Sequence, residues 1–338
     1  MSENNLNTEK AKRFAVGKKN NLKEITGKFG PLLGLILLCI ILSIISPDFI
    51  KVRNIMNIAN QSSINALISM GMLLVILTAG IDLSVGSIMA LSSCVMGISI
   101  VNWHMNPILA ILVGLSTGAA CGLVNGLLLT KLHLPHPFIS TLAMKNVARG
   151  LALIITFASP ISGFPKSIQF FGSGSIGPIP ISFVIVILVG ITFYIFLNRT
   201  VQGRHIYALG GNKEAALLSG VNVNKTLVLV YTLCGIMAAL AGVVLVGRVN
   251  SASPLGGLNF DLDAIAACII GGTSFMGGVG TVGGTLIGAM IMAVLRNGLN
   301  LLGVSPDIQI VAIGLVIIGA VYVDVVRNAA GKKVKVVA

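Results

Sequence analysis

Apolar runs of about 20 residues follow one another along almost the whole chain, separated by short polar stretches. Each run is continuous rather than alternating every second residue, so the pattern predicts membrane-spanning helices and not the strands of a barrel. Ten segments carry it: 30–46, 64–80, 84–103, 107–130, 137–157, 180–197, 226–249, 263–277, 281–302 and 307–326. The eighth is short and glycine-rich, which also fits a re-entrant half-helix. The expected fold is an all-α polytopic membrane protein of about ten transmembrane helices, some of them broken by glycine-rich hinges. The first run closes on SPDFIK, which offers no small-residue cleavage site, so it is expected to be a retained span rather than a secretory signal.

Charge then orients the spans. The segment before the first run carries Lys10, Lys12, Arg13, Lys18, Lys19, Lys23 and Lys28. Basic flanks stay in the cytoplasm. Counting spans from there puts Lys131, the segment 198–225 and Arg327, Lys332, Lys333 and Lys335 on the same side. The loop 158–179, on the other side, holds only Lys166. Lys51 with Arg53, and Arg248, run against the rule. The expected organisation is a cytoplasmic tail 1–28, a transmembrane domain 29–326 and a cytoplasmic tail 327–338.

Composition narrows the class. Of 338 residues, 55% are hydrophobic and 10% charged, against about 25% charged in soluble domains. A soluble fold is excluded. The net charge of +13 is accounted for by the flanks of the spans, which removes the reason to read it as a nucleic-acid footprint. Cys39, Cys94, Cys121, Cys234 and Cys268 sit inside apolar runs without a CxxC pair, as packing residues do.

The polar segment 198–225, NRTVQGRHIYALGGNKEAALLSGVNVNK, is the longest expected on the cytoplasmic side. It sets Arg199, Arg204, Lys213 and Lys225 against Glu214 alone. Within it Asn212 suits a helix N-cap, Glu214 the first turn, and Gly220 the residue past the end. The expected short helix, with Ala215 and Ala216 in its body, is either an ordinary surface helix or one that fits a groove on another protein. An ungapped shift of 197 residues also sets GIDLSVGS (80–87) on GGVGTVGG (277–284), either a duplicated helix–hinge–helix unit or the self-similarity of glycine-rich apolar sequence. Glycine-interrupted helices of that kind tend to mark a substrate path.

Five segments together resemble the permease subunits of bacterial ATP-binding-cassette importers for simple sugars. They are LVILTAGIDLSVGSIMALS (74–92), HPFISTLAMKNVARGL (136–151), GRHIYALGGNKEAALLSGVNVNKT (203–226), LDAIAACIIGGTSFMGGVGTVGGTLIGA (262–289) and NGLNLLGVS (297–305). The resemblance implies a permease domain in the bacterial plasma (inner) membrane that translocates a monosaccharide, ribose or a related sugar. It implies a second permease copy, a pair of cytoplasmic ATPase domains, and a periplasmic or lipid-anchored sugar-binding protein. It also implies that the helix holding Glu214 is where the ATPase docks. Two departures stand out: the loop lacks the I-x-L-P tail of the wider importer signature, and Arg296 stands where the family often has Asn.

The remaining motifs fit that reading. No GxxxxGK[ST] phosphate loop occurs, so ATP hydrolysis is expected on another subunit and the chain is not expected to be an enzyme or to hold a cofactor. Gly278, Gly280 and Gly283 form GxGxxG, but their flanks are apolar spans rather than a strand and a helix, so they read as a helix break. Gly114, Gly118, Gly122 and Gly126 recur every fourth residue, a stripe for close helix packing against this chain or a second copy. Asp82 is placed to cap the helix that begins near Ser84, with a proton relay as the sharper alternative. Lys145 and Arg149 share a helical face, and either line a wet path or pair with Asp261 or Asp263. Asn125, Asn297 and Asn300 suit the same path or helix-to-helix hydrogen bonds. His104, His133, His136 and His205 form no metal spacing. An ion-coupled secondary transporter is the alternative function; it would need paired buried acids. A membrane enzyme would need a nucleophile–base or metal cluster.

Overall fold

The computed structural model describes residues 30–132, 134 and 136–335. The lysines of the expected N-terminal tail, and His133, lie outside the described residues. Helices dominate: α1 Gly30–Ile45, α2 Val52–Leu77, α3 Val85–Val101, α4 Pro107–Lys131, α5 Pro137–Ile155, α6 Lys166–Ser173, α7 Ile181–Arg199, α8 Val201–Gly211, α9 Lys213–Leu218, α10 Val223–Val249, α11 Phe260–Ile270, α12 Val282–Leu301 and α13 Pro306–Lys335. Seven of them, α2, α4, α5, α7, α10, α12 and α13, are long and apolar enough to cross a membrane, while α1 and α3 are shorter apolar helices. The chain is an all-α polytopic membrane protein.

Helix starts follow local chemistry. Pro107 and Pro137 open α4 and α5, where a missing N–H is harmless, and Asn106 Oδ1 accepts from Ile108 N at 2.9 Å. Two boundaries differ from the hydropathy reading. Helix α2 starts at Val52 rather than near 64, because its polar first half is satisfied by other helices: Asn54 exchanges two amide hydrogen bonds with Asn297 (2.9 and 2.8 Å), and Ser182 Oγ donates to Asn60 Oδ1 at 2.7 Å. Helix α11 has 11 residues, about 16 Å, too short for a hydrocarbon layer of about 30 Å.

Helices α2 and α10 form the centre. Most of α2 is buried, and α10 packs on α2, α3, α4 and α6, whereas the apolar surface of α13 is largely uncovered. The glycine stripe of α4 packs within this chain. A methyl at Gly118 would collide with Gly235 and Ala239, one at Gly122 with the backbone of Tyr231, and one at Gly126 with Val228, all on α10. Gly114 meets Ser92 and Met96 of α3 instead.

The two ends of the bundle are built differently. At one end β1 Ile161–Ser162 pairs with β4 Ser251–Ala252, and β2 Ser175–Ile176 pairs with β3 Ile179–Pro180, beside the short helix α6. At the other end lie α8 and α9, against the gaps 78–84 and 271–281 where the α2–α3 and α11–α12 pairs are interrupted. The 197-residue offset in the sequence sets Val85 on Val282, the first residues of α3 and α12, so both weakly similar segments are helix breaks.

Gly122→Leu is expected to lower the stability of detergent-solubilised protein by about 1–3 kcal/mol or more, as overpacking does, read as an earlier melting transition. Gly150→Ala, in α5 with open space around the new methyl, is expected to melt no earlier than the parent protein.

Candidate functional site

The first break begins where α2 ends at Leu77. Ala79 turns the chain at φ 59°, and Gly80 follows beside the Tyr231 hydroxyl, which would lie 2.7 Å from a methyl there. Asp82 is fully buried, and its Oδ1 accepts from Ser84 N at 2.8 Å and Ser84 Oγ at 2.5 Å, taking up an amide at the start of α3 that has no partner within the helix. Asn125 Nδ2 of α4 donates to the same Ser84 Oγ at 2.9 Å. Asp82 and Asn125 therefore meet at one buried point, Asp82 at the helix start and Asn125 as a helix-to-helix hydrogen bond.

The second break, 271–281, contains the first two GxGxxG glycines, Gly278 and Gly280, with Gly283 in the first turn of α12, and it follows a helix, not a strand. Gly272, Gly277 and Gly278 all have positive φ, the left-handed region glycine enters without strain. Gly278 N donates to Leu77 O at 3.0 Å, so the second break caps the helix that ends at the first.

The polar segment holds two helices rather than one. Helix α8 was not foreseen. It starts on Thr200 Oγ1, which accepts from Gly203 N at 3.1 Å. Asn212 ends α8 and starts α9: its N–H donates to Ala208 O at 3.0 Å and its Oδ1 accepts from Ala215 N at 2.9 Å. Glu214 lies in the first turn of α9 and Gly220 takes φ 82° beyond its end, as the capping pattern predicts. Ala216 is buried, while Leu217 and Leu218 are 61% and 88% exposed. A cleft of about 510 Å³ separates α9 from the first break, with Ala79, His136, Gly210, Lys213 and Asn224 among its walls. Tyr207 Oη donates to Gly280 O at 2.9 Å, and burial pushes its phenol above the ordinary tyrosine value, so it stays a donor at neutral pH.

The charged groups gather on α11. Asp261 and Asp263 both sit in its first turn, where helix amides favour negative charge. Lys145 Nζ reaches Asp261 Oδ2 at 2.7 Å, and Arg296 grips both oxygens of Asp263 at 2.6 and 2.8 Å. The acids are buried, whereas the Lys145 and Arg296 side chains keep 35% and 28% of their surface. Arg149 forms no salt bridge among the described residues; it donates to the carbonyls of Pro254 and Gly256 in the non-helical stretch before α11. The sequence reading offered Asp261 or Asp263 as partners for both Lys145 and Arg149; Lys145 takes Asp261, Arg149 takes backbone carbonyls, and Arg296, which that reading did not pair, takes Asp263. Asn297 is spent on Asn54, and Asn300 Oδ1 accepts from Gln309 Nε2 at 2.8 Å, so neither converges with the charged group. Among the described residues no three His, Cys, Asp or Glu side chains gather as a metal set.

Residues 54–321 match the family model described as branched-chain amino acid transport system / permease component. The ribose import permease protein of Bacillus subtilis (strain 168) is 45% identical over 314 residues, 92% of this chain and 97% of that protein. The ribose import permease protein of Escherichia coli (strain K12) is 46% identical over 297 residues, 87% and 92% of the two chains. The D-allose transport system permease protein of the same strain is 40% identical over 321 residues, 94% and 98%. No solved structure matches the chain.

Asp263→Ala, which strands the Arg296 guanidinium, is expected to destabilise the protein by up to about 3–5 kcal/mol, the range for breaking a buried pair, measured by denaturation in detergent. Replacing both partners, Asp263→Leu with Arg296→Met, is expected to recover most of that loss.

Proposed function

This chain belongs to the branched-chain amino acid transport system / permease component family, and on that premise we propose that it is the membrane-spanning subunit of an ATP-binding-cassette importer that carries a monosaccharide, ribose or a close relative, into the cytoplasm. The observation that carries the reading is α9: a capped helix presenting Leu217 and Leu218 outward, at the end of the bundle where both helix breaks converge. The ribose and D-allose permeases to which the chain is similar supply the substrate class.

In this reading α8 and α9 face the cytoplasm with both chain termini, and the end carrying α6 and the two strand pairs faces outward. The basic flanks support that orientation. The chain then crosses ten times, the stretch 250–259 and the half-helix α11 together making one crossing. Residues 29–326 form the permease domain, with 198–225 as its coupling segment. A periplasmic or lipid-anchored binding protein delivers sugar to the outer end. Two ATPase domains dock on α9 through Asn212, Glu214, Ala215, Ala216 and Gly220. The subunit itself is no enzyme. A second permease copy faces the surface that carries Lys145, Arg149 and Arg296, and the sugar passes between the copies by alternating access. Asp82, Asn125 and the Asp261 and Asp263 pairs hold the broken helices beside that path, with Asn297 and Asn300 bracing α12.

The test is ribose uptake by vesicles containing the permease, its ATPase and its binding protein. Uptake is expected to require ATP and all three components; uptake that survives loss of the ATPase and collapses with the proton gradient would mark an ion-coupled transporter instead. Glu214→Lys and Gly220→Trp are each expected to abolish co-purification of the ATPase while the permease still inserts. Normal co-purification of both would refute docking on α9.

A further inference from the structure

Three backbone segments meet at one point without side chains between them. Leu77 O, at the end of α2, accepts from Gly278 N of the second break at 3.0 Å. Gly210 of α8 lies against both: a methyl there would collide with Leu77 O and Gly278 N. A methyl at Gly277 would meet Ala79 N at 2.9 Å and Gly210 O at 3.1 Å. One turn back, Tyr207 Oη holds Gly280 O at 2.9 Å. The junction is as rigid at its other side, because Asn212 closes α8 and opens α9 with its own backbone and side chain. Close-packed backbone passes a displacement on rather than absorbing it.

We infer that Tyr207 and Gly210 are positioning residues that deliver the movement of α9 to both helix breaks together. The inference rests on the coupling role proposed for α9. It assigns what that helix acts on: the start of α3, held by Asp82, and the start of α12, which carries Arg296 to the Asp263 of α11. Tyr207 supplies the pull, since a hydrogen bond resists withdrawal, and Gly210 supplies the push, since backbone contact resists approach. A Tyr207 that merely filled space would keep its effect as phenylalanine.

The experiment uses the assembled permease, ATPase and binding protein in vesicles, with ribose as probe and two readouts: ATPase association, and ribose moved per ATP hydrolysed. Tyr207→Phe is expected to keep the ATPase bound while ribose per ATP falls about fivefold or more, the lower end of an allosteric coupling. Gly210→Ala is expected to uncouple likewise, whereas Gly211→Ala, whose methyl meets nothing within 4 Å, is expected to match the parent. A parental ratio in Tyr207→Phe, or equal losses in Gly210→Ala and Gly211→Ala, would overturn the inference; if Tyr207→Phe does not insert, the glycine pair decides. Failure of the coupling role itself shows separately, as ATPase association that survives Glu214→Lys and Gly220→Trp.

Discussion

A helix that stops against packed neighbours leaves carbonyls that need partners, and the bond from Gly278 N to Leu77 O supplies one. Each break is completed by other parts of the chain. The amide at the start of α3 is taken by Asp82, and Ser84 is held in turn by Asn125 from α4. Because the last carbonyl of α2 is satisfied by the other break, the two discontinuities cannot relax independently. The glycines at 210, 277 and 278 follow from the same constraint, since a side chain on any of them would push the partners beyond bonding distance.

The charged groups obey a related rule. Two carboxylates in one turn of a half-helix are stable there because two other helices bring cations to them, one each. Their spacing matters: residues two apart on a helix point in widely different directions, so Asp261 reaches α5 while Asp263 reaches α12. Helix α11 is thereby held between neighbours by charge at its start and by close glycine packing on α12 at its end, where Gly271 meets Gly284.

Local chemistry was legible in the sequence, and contacts between distant segments were not. Hydropathy located most spans, and the cap residues Asn212 and Gly220 defined α9, because capping is decided within a few residues. The start of α2 was hidden because Asn54 and Asn60 look like loop residues until Asn297 and Ser182 are beside them. Helix α8 was hidden by its glycines, two of which serve close backbone approach at Leu197 and Leu77. The glycine stripe on α4 announced close packing, but only the fold identifies α10 as its main partner. Arg296 stood out in sequence as a departure, yet its acid lies 33 residues earlier, across a break of undefined geometry.

The two acids of α11 also constrain how the protein is made. Carboxylates disfavour insertion of a helix into lipid, most strongly at its centre, and α11 presents two of them in its first turn. Lys145 is synthesised before them, but Arg296 only afterwards. The half-helix therefore has one of its two counter-charges when it leaves the ribosome and acquires the second once α12 follows. Full charge compensation of α11 therefore requires α12, the later of its two partners, to be in place.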